Sequence, residues 1–110
     1  MSFTDLGFER ISMDAAKVEI ERGNLGNTLI VDVRTKEEFD FGHIPGAINL
    51  PNEDIMARAK EVLPDKDRPL WVYCRSGFRS LDASNKLVYL GYSKVTEFGG
   101  IIDWKGEIEK

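Results

Sequence analysis

The chain has 110 residues but only one cysteine, one histidine and four prolines. A single cysteine excludes an internal disulfide and a zinc site built from four cysteines. Apolar runs such as Leu70–Tyr73 are far shorter than the ~18 residues that a membrane-spanning helix needs. The chain also has no excess of positive charge, because it contains 15 lysines and arginines and 19 aspartates and glutamates, which gives a net charge of −4. We therefore expect neither nucleic acid nor a membrane as a partner.

The composition, 42% apolar and 31% charged, is that of a globular domain. No repeat, low-complexity tract or long linker divides the chain, so one domain over residues 1–110 is expected. Charged side chains also interrupt the first twenty residues, which leaves no apolar core for a secretory signal. Together with the unpaired cysteine, this favours a cytoplasmic location.

Strands and helices are predicted to alternate along the chain. The pattern predicts extended segments at 8–11, 28–33, 47–50, 70–74 and 94–98, and helices at 12–22, 36–41, 53–63 and from the loop after 74 to the stop at 91. A turn at 99–100 is expected to lead into a helical tail around Trp104. The strands at 28–33 and 70–74 lack polar alternation, as strands covered on both faces do. The fold class expected is therefore a three-layer α/β/α domain with a mainly parallel sheet.

The strongest candidate site is the loop that follows the strand at 70–74, because ligands in such folds bind beyond the carboxyl ends of the strands. If the loop curls round the sulfur of Cys74, its N–H groups and the next helix favour a thiolate and a bound anion. Arg75 and Arg79 offer forked donors to an oxyanion, Gly77 permits a positive φ, and Phe78 could shape the pocket mouth. We thus predict Cys74 as the catalytic residue and a substrate-binding loop of Arg75, Ser76, Gly77, Phe78 and Arg79.

Other polar residues are predicted to be structural. His43 lies in a Gly-His-Ile-Pro-Gly turn, where an imidazole that hydrogen-bonds the backbone is favoured over a base for Cys74. Asp32 and Arg34 are expected to form a structural pair, with Glu38 as a candidate third member. Trp71, Phe98 and Trp104 are expected in the core. No metal and no cofactor is expected.

Four segments, in this order, resemble the rhodanese family. Residues 32–34 with 38–39 resemble its D-V-R and E-(F/Y), residues 42–49 its G-H-I-P-G-A-x-N, residues 74–79 its active-site loop, and residues 98–101 with Trp104 its G-G-x-x-x-W. The resemblance covers about residues 8–108. It implies a five-stranded parallel sheet between helices, and an enzyme that takes a sulfane sulfur onto cysteine as a persulfide. In this alignment Cys74 matches the catalytic cysteine.

The leading hypothesis is a thiosulfate sulfurtransferase of the rhodanese type. Thiosulfate or a similar anionic donor would load Cys74, and cyanide, an external thiol or an acceptor protein would take the sulfur, because no second cysteine is present. A phosphatase or arsenate reductase is a second hypothesis, but only four residues separate Cys74 from Arg79, whereas tyrosine-phosphatase loops have five. The third is a non-catalytic partner-binding module, against which the presence of Cys74 argues.

Overall fold

The computed structural model describes residues 7–110, in which strands and helices alternate. The strands are β1 (Glu9–Arg10), β2 (Leu29–Asp32), β3 (Ile48–Asn49), β4 (Leu70–Cys74) and β5 (Val95–Gly100), and the α-helices are α1 (Met13–Arg22), α2 (Lys36–Phe41), α3 (Ile55–Val62) and α4 (Phe78–Tyr89). The five strands form one sheet in the order β1-β5-β4-β2-β3, and every pair is parallel. The α/β fold expected from the sequence is confirmed.

Capping residues determine where the two helices that flank β2 begin and end. Ser12 accepts a hydrogen bond from the backbone of Ala15 at 3.0 Å, and Gly23 ends α1 with a φ of +70°. Helix α2 has the complete capping box between Thr35 and Glu38. Both helices have the bounds that their sequence signals predict.

Each face of the sheet has its own apolar core. The face that packs against α3 and α4 buries Val31, Val33, Leu50, Ile55, Leu70, Val72, Ala83, Leu87 and Val95. The opposite face, against α1, buries Met13, Ala16, Ile30, Ile44, Tyr73 and Phe98. Trp71 and Trp104 pack against this second core but are only partly buried, so of the three aromatic residues expected in the core Phe98 alone is fully enclosed. No helix within residues 7–110 is long and apolar enough to cross a membrane.

The end of the chain differs from the prediction. Strand β5 continues through the glycines where a turn was expected, because Gly99 adopts a φ of +95° and the register shifts there, so that Gly100 still pairs with Cys74. The expected helical tail is a single 3₁₀ turn, Ile101–Asp103. The helix expected at 53–63 likewise opens with a 3₁₀ turn, Asn52–Asp54, before α3 begins.

A buried ion pair anchors the carboxyl end of β2. Asp32 is fully buried and accepts hydrogen bonds from Arg34 Nη2 at 2.6 Å and from the Tyr73 hydroxyl at 2.7 Å. Burial lowers the pKa of Arg34, but the hydrogen bond and charge of Asp32 outweigh this and hold it above its ordinary value. Burial and the Asp32 charge raise the pKa of Tyr73, so the phenol stays protonated as a donor. The structural pair predicted for Asp32 and Arg34 is confirmed.

Candidate active site

The sulfur of Cys74 lies at the carboxyl end of the central strand β4. The residue is 1% exposed, and its sulfur accepts a hydrogen bond from the backbone N–H of Gly77 at 3.0 Å. Gly77 has a φ of +104°, which glycine adopts without the strain that a side chain would add. This conformation folds the loop back over the sulfur.

Helix α4 begins directly after that turn. It is 12 residues long, starts at Phe78 and has Gly77 as its N-cap, so its positive end lies beside the sulfur. An N–H donor and a helix N-terminus together stabilise a negatively charged sulfur. The arrangement therefore suits a thiolate nucleophile.

The floor of the loop is formed by the glycine pair of β5. A Cβ atom on Gly100 would overlap the carbonyl oxygen of Arg75 and lie 2.6 Å from Cα of Ser76. The Arg75 carbonyl also accepts a hydrogen bond from the N–H of Ile102 at 3.2 Å. The loop can pack this closely against β5 only because residue 100 has no side chain.

The two loop arginines have different surroundings. Arg75 is exposed and forms no ion pair with any of residues 7–110. Arg79 instead binds Glu38 through both ends of its fork, at 2.7 and 3.0 Å. The sequence interpretation placed Glu38 with Asp32 and Arg34; this is wrong, because α2 presents the carboxylate to the start of α4. Arg75 is thus the loop cation available to a ligand, whereas Arg79 is already engaged.

The mouth of the site combines apolar and charged side chains. Phe78 is 81% exposed, as the sequence suggested, and Ser76 is also exposed. Beyond Arg75 a groove runs past the exposed side chains of Phe41 and Ile102. The rim therefore offers apolar contact surface to whatever approaches Cys74.

His43, the one histidine, is held by structural contacts. Its Nδ1 lies 2.9 Å from the carbonyl oxygen of Phe39, its ring stacks on that of Phe39, and its Nε2 lies 3.5 Å from Glu109. The predicted hydrogen bond to the backbone is confirmed. Within the part of the chain that the structure describes, no group of three or more His, Cys, Asp or Glu side chains could hold a metal ion.

Sequence reasoning missed two residues beneath the cysteine, Ser80 and Glu97. Ser80 Oγ lies 3.3 Å from the sulfur, and Glu97 Oε2 lies 2.6 Å from Ser80 Oγ. Both residues are almost completely buried. A signal was present for Glu97, since a charged residue inside a buried strand requires a partner.

The ion pair between Arg79 and Glu38 leads to a prediction about acid stability. The hydrogen bond from Arg79 is the main cause that lowers the pKa of Glu38 from 4.5 to about 2, against the opposing effect of burial. A depressed carboxylate pKa stabilises the fold above the unfolded value and loses that effect as pH falls toward the folded one. Glu38→Gln, which keeps an acceptor for the capping box, should cost about 0.2–1 kcal/mol near neutral pH, since the pair is partly exposed.

Urea unfolding at several pH values measures this effect. The stability difference between wild type and Glu38→Gln should shrink as the pH falls from 4.5 toward 2. Asp40→Asn, which removes an exposed carboxylate from the same helix, is the matched control. A difference that stays constant down to about pH 2 would contradict the role assigned to Arg79.

Comparisons with known proteins agree with this geometry. The sequence model of the family described as rhodanese-like domain matches residues 12–107 of this chain. A protein named sulfurtransferase from Allochromatium vinosum is 39% identical over 93 residues, which cover 84% of this chain and 85% of the relative. The thiosulfate sulfurtransferase PspE of Escherichia coli is 37% identical over 73 residues, covering 66% of this chain and 70% of the relative.

A solved structure shows the same relation. The rhodanese-like domain of the Anabaena protein Alr3790 superimposes with a TM-score of 0.83 at 32% identity, covering 91% of this chain and 77% of that one. The parallel sheet, the loop after Cys74 and the glycine pair of β5 together define a rhodanese-like α/β domain. Its cysteine lies at the carboxyl end of the central strand. The chain belongs to the rhodanese family.

Proposed function

We propose that this protein is a sulfurtransferase that carries a sulfane sulfur on Cys74 as a persulfide. The observation that carries the proposal is the enclosed sulfur of Cys74, with the Gly77 N–H at 3.0 Å and the N-terminus of α4 beside it. The relatives named as sulfurtransferases support the same class of reaction. Cys74 is the nucleophile, and the substrate-binding loop consists of Arg75, Ser76, Gly77, Phe78 and Arg79.

The first half-reaction loads the cysteine. The Cys74 thiolate attacks the outer sulfur of thiosulfate, a new S–S bond forms, and the bond to the sulfonate sulfur breaks, with sulfite leaving on its electron pair. The loop N–H groups and the helix N-terminus then hold the terminal sulfur of the persulfide, which is anionic. Apart from Cys74 itself, the protein contributes charge stabilisation and enclosure to this step, and no other side chain forms a bond to the sulfur.

The second half-reaction returns the cysteine. An acceptor with a free electron pair attacks the terminal sulfur and Cys74 leaves as the thiolate. Cyanide would leave as thiocyanate, and a thiol as its own persulfide. Because this sequence has no second cysteine to take the sulfur, the acceptor is a separate molecule: cyanide, a small thiol or a protein. A reducing compartment such as the cytoplasm keeps Cys74 free for this cycle.

Phosphate chemistry has weaker support. An oxyanion enzyme of the phosphatase type needs the arginine fork turned toward the centre of the loop, to hold a tetrahedral anion on two oxygens. Here both ends of the Arg79 fork bind Glu38. The short loop and the occupied fork favour transfer of one sulfur atom.

The test is a steady-state assay with thiosulfate as donor and cyanide as acceptor. A persulfide enzyme releases sulfite before cyanide binds, so double-reciprocal plots at several cyanide concentrations should be parallel. p-Nitrophenyl phosphate should give no product above the enzyme-free rate. Absence of thiocyanate, or intersecting lines, would contradict the proposal, and turnover of the phosphate ester would favour the phosphatase.

The exposed loop cation gives a prediction about the donor. Arg75→Ala should raise the KM for thiosulfate about tenfold, because it removes a charged hydrogen bond to a dianion, worth roughly 1–3 kcal/mol. Arg79→Ala should weaken thiosulfate use further, since it removes a cation and also leaves the Glu38 carboxylate unpaired beside the site. Adding Glu38→Gln to Arg79→Ala should recover part of the loss.

Initial rates against thiosulfate concentration measure these effects. Arg22→Ala is the matched control, because Arg22 ends α1 before the amino end of β2, whereas the loop follows the carboxyl end of β4, and the charge change is the same. If Arg75→Ala and Arg79→Ala both behave as Arg22→Ala does, the arginines are solvated surface and a neutral donor becomes the better substrate.

A further inference from the structure

Glu97 is a charged residue in a strand whose other side chains are almost all buried. It is 1% exposed and lies on β5 beneath the cysteine loop. Its carboxylate accepts hydrogen bonds from Arg10 Nε at 3.2 Å, from the N–H of Gly99 at 2.9 Å and from Ser80 Oγ at 2.6 Å. A carboxylate in this position is costly to bury, and these partners hold it in one place.

The hydrogen bonds from Cys74 to Glu97 run in one direction. A carboxylate can only accept, so the single proton of the Ser80 hydroxyl points to Glu97 over 2.6 Å; the carbonyl of Gly99, at 3.5 Å, is the longer option. Ser80 Oγ is then left as an acceptor for the thiol proton of Cys74, at 3.3 Å. The thiol is thereby connected to a buried carboxylate through one hydroxyl.

We propose that Glu97 takes the proton of the Cys74 thiol through Ser80 and so generates the nucleophile. The S–H bond of Cys74 breaks as an O–H bond to Ser80 forms, while the original hydroxyl proton of Ser80 passes to Oε2 of Glu97. No electrons are exchanged, and the negative charge moves from the carboxylate to the sulfur. Glu97 is thus a positioning residue and proton acceptor that acts through Ser80, and its role rests on the proposed function of Cys74 as nucleophile.

The transfer preserves every hydrogen bond. Afterwards the Ser80 hydroxyl donates to the sulfur and the neutral carboxyl of Glu97 donates to Ser80, with the same three atoms in place. The sulfur also keeps the N–H of Gly77 at 3.0 Å. The chain therefore supplies a second donor to the thiolate at the moment the charge arrives.

Charged groups face both ends of this path. Arg10 of β1 faces the Glu97 end, and Arg79 of α4 faces the Cys74 end. The hydrogen bond that Arg79 donates to Glu38 of α2 raises the pKa of Arg79, and the charges of Glu38, Cys74 and Asp32 add to this, so Arg79 remains a cation throughout. Because a positive charge lies near each end of the path, the negative charge is stabilised both on the Glu97 carboxylate and on the Cys74 sulfur.

Two coupled acids lose their protons in two macroscopic steps, with one charge shared between them over the range that separates the steps. The rate of alkylation by iodoacetamide should therefore show a shoulder on the acid side of its pH profile, in the range where an isolated thiol is protonated. Glu97→Gln keeps the size of the side chain and an oxygen for Ser80 but cannot take the proton. It should alkylate about 10- to 100-fold more slowly there and approach the wild-type rate in alkali.

Ser80→Ala cuts the same path and should lose the same shoulder. The double variant should react no more slowly than either single one, because both substitutions interrupt one route. Ser84→Ala is the matched control, since Ser84 is also buried on α4, one turn later, and its hydroxyl has no partner among residues 7–110. If Glu97→Gln fails to fold, Ser80→Ala against Ser84→Ala carries the comparison.

The outcomes separate the two proposals. Loss of the shoulder in Glu97→Gln and Ser80→Ala, with Ser84→Ala as wild type, supports the proton path. An unchanged or faster acid-side rate in Glu97→Gln overturns it, as does a Ser80→Ala profile equal to that of Ser84→Ala. Wild-type protein that shows the shoulder but moves no sulfur from thiosulfate would leave the proton path standing and reject the sulfurtransferase.

Discussion

Gly100→Ala is expected to reduce sulfur transfer about 100-fold while the protein remains folded. Gly100 has φ −124° and ψ 141°, an extended conformation that alanine adopts without strain. The added methyl group would overlap the carbonyl of Arg75 and lie 2.6 Å from Cα of Ser76. The loop must lift off β5, and the Gly77 N–H then moves away from the sulfur of Cys74.

Thiocyanate formation together with thermal unfolding separates this effect from a loss of stability. Gly26→Ala is the control, because it places alanine at a φ of +58° with no atom within 4 Å of the new Cβ, before the amino end of β2. It should cost roughly 1–2 kcal/mol of stability and leave the activity intact. A Gly100→Ala enzyme with wild-type kcat/KM would show that the close packing of loop and strand does not position the site.

Asp32→Asn is expected to produce the largest change in stability, about 3–5 kcal/mol. Asparagine keeps the shape and the backbone hydrogen bond of Asp32, but it leaves the guanidinium of Arg34, which is 6% exposed, without its counterion. The cost approaches the total stability of a marginal domain, ~5–15 kcal/mol, so the variant should unfold at a much lower urea concentration.

Replacing both partners tests the physical reason. Asp32→Asn with Arg34→Met should be more stable than Asp32→Asn alone, because no uncompensated charge stays buried. Asp14→Asn, which removes an exposed carboxylate bound to Lys105, should change stability by less than about 1 kcal/mol. A loss of that small size in Asp32→Asn would mean that water reaches Arg34.

The elements of this fold that depend on local chemistry were predictable. Ser12 and Gly23 delimit α1, and Thr35 with Glu38 caps α2, because these residue types satisfy helix ends within a few positions of themselves. The apolar segment Leu70–Cys74 gave β4 its bounds, and with them the position of the cysteine. Local signals therefore located the loop without any knowledge of its neighbours.

Contacts between distant segments were not predictable from those signals. Glu38 and Arg79 are 41 positions apart, and Ser80 and Glu97 are 17 apart, so only the folded sheet brings each pair together. The continuation of β5 through Gly99 was not predictable for a related reason. Paired glycines usually mark turns, whereas here they allow the loop after Cys74 to lie against the strand.

The central claim is that sulfur is held covalently on Cys74, and intact-protein mass spectrometry after incubation with thiosulfate tests it most directly. We predict a gain of roughly 32 Da, one sulfur atom, that a reducing thiol removes and that Cys74→Ser abolishes. The single cysteine makes the assignment unambiguous. No gain on the wild-type protein, or an equal gain on Cys74→Ser, would contradict it.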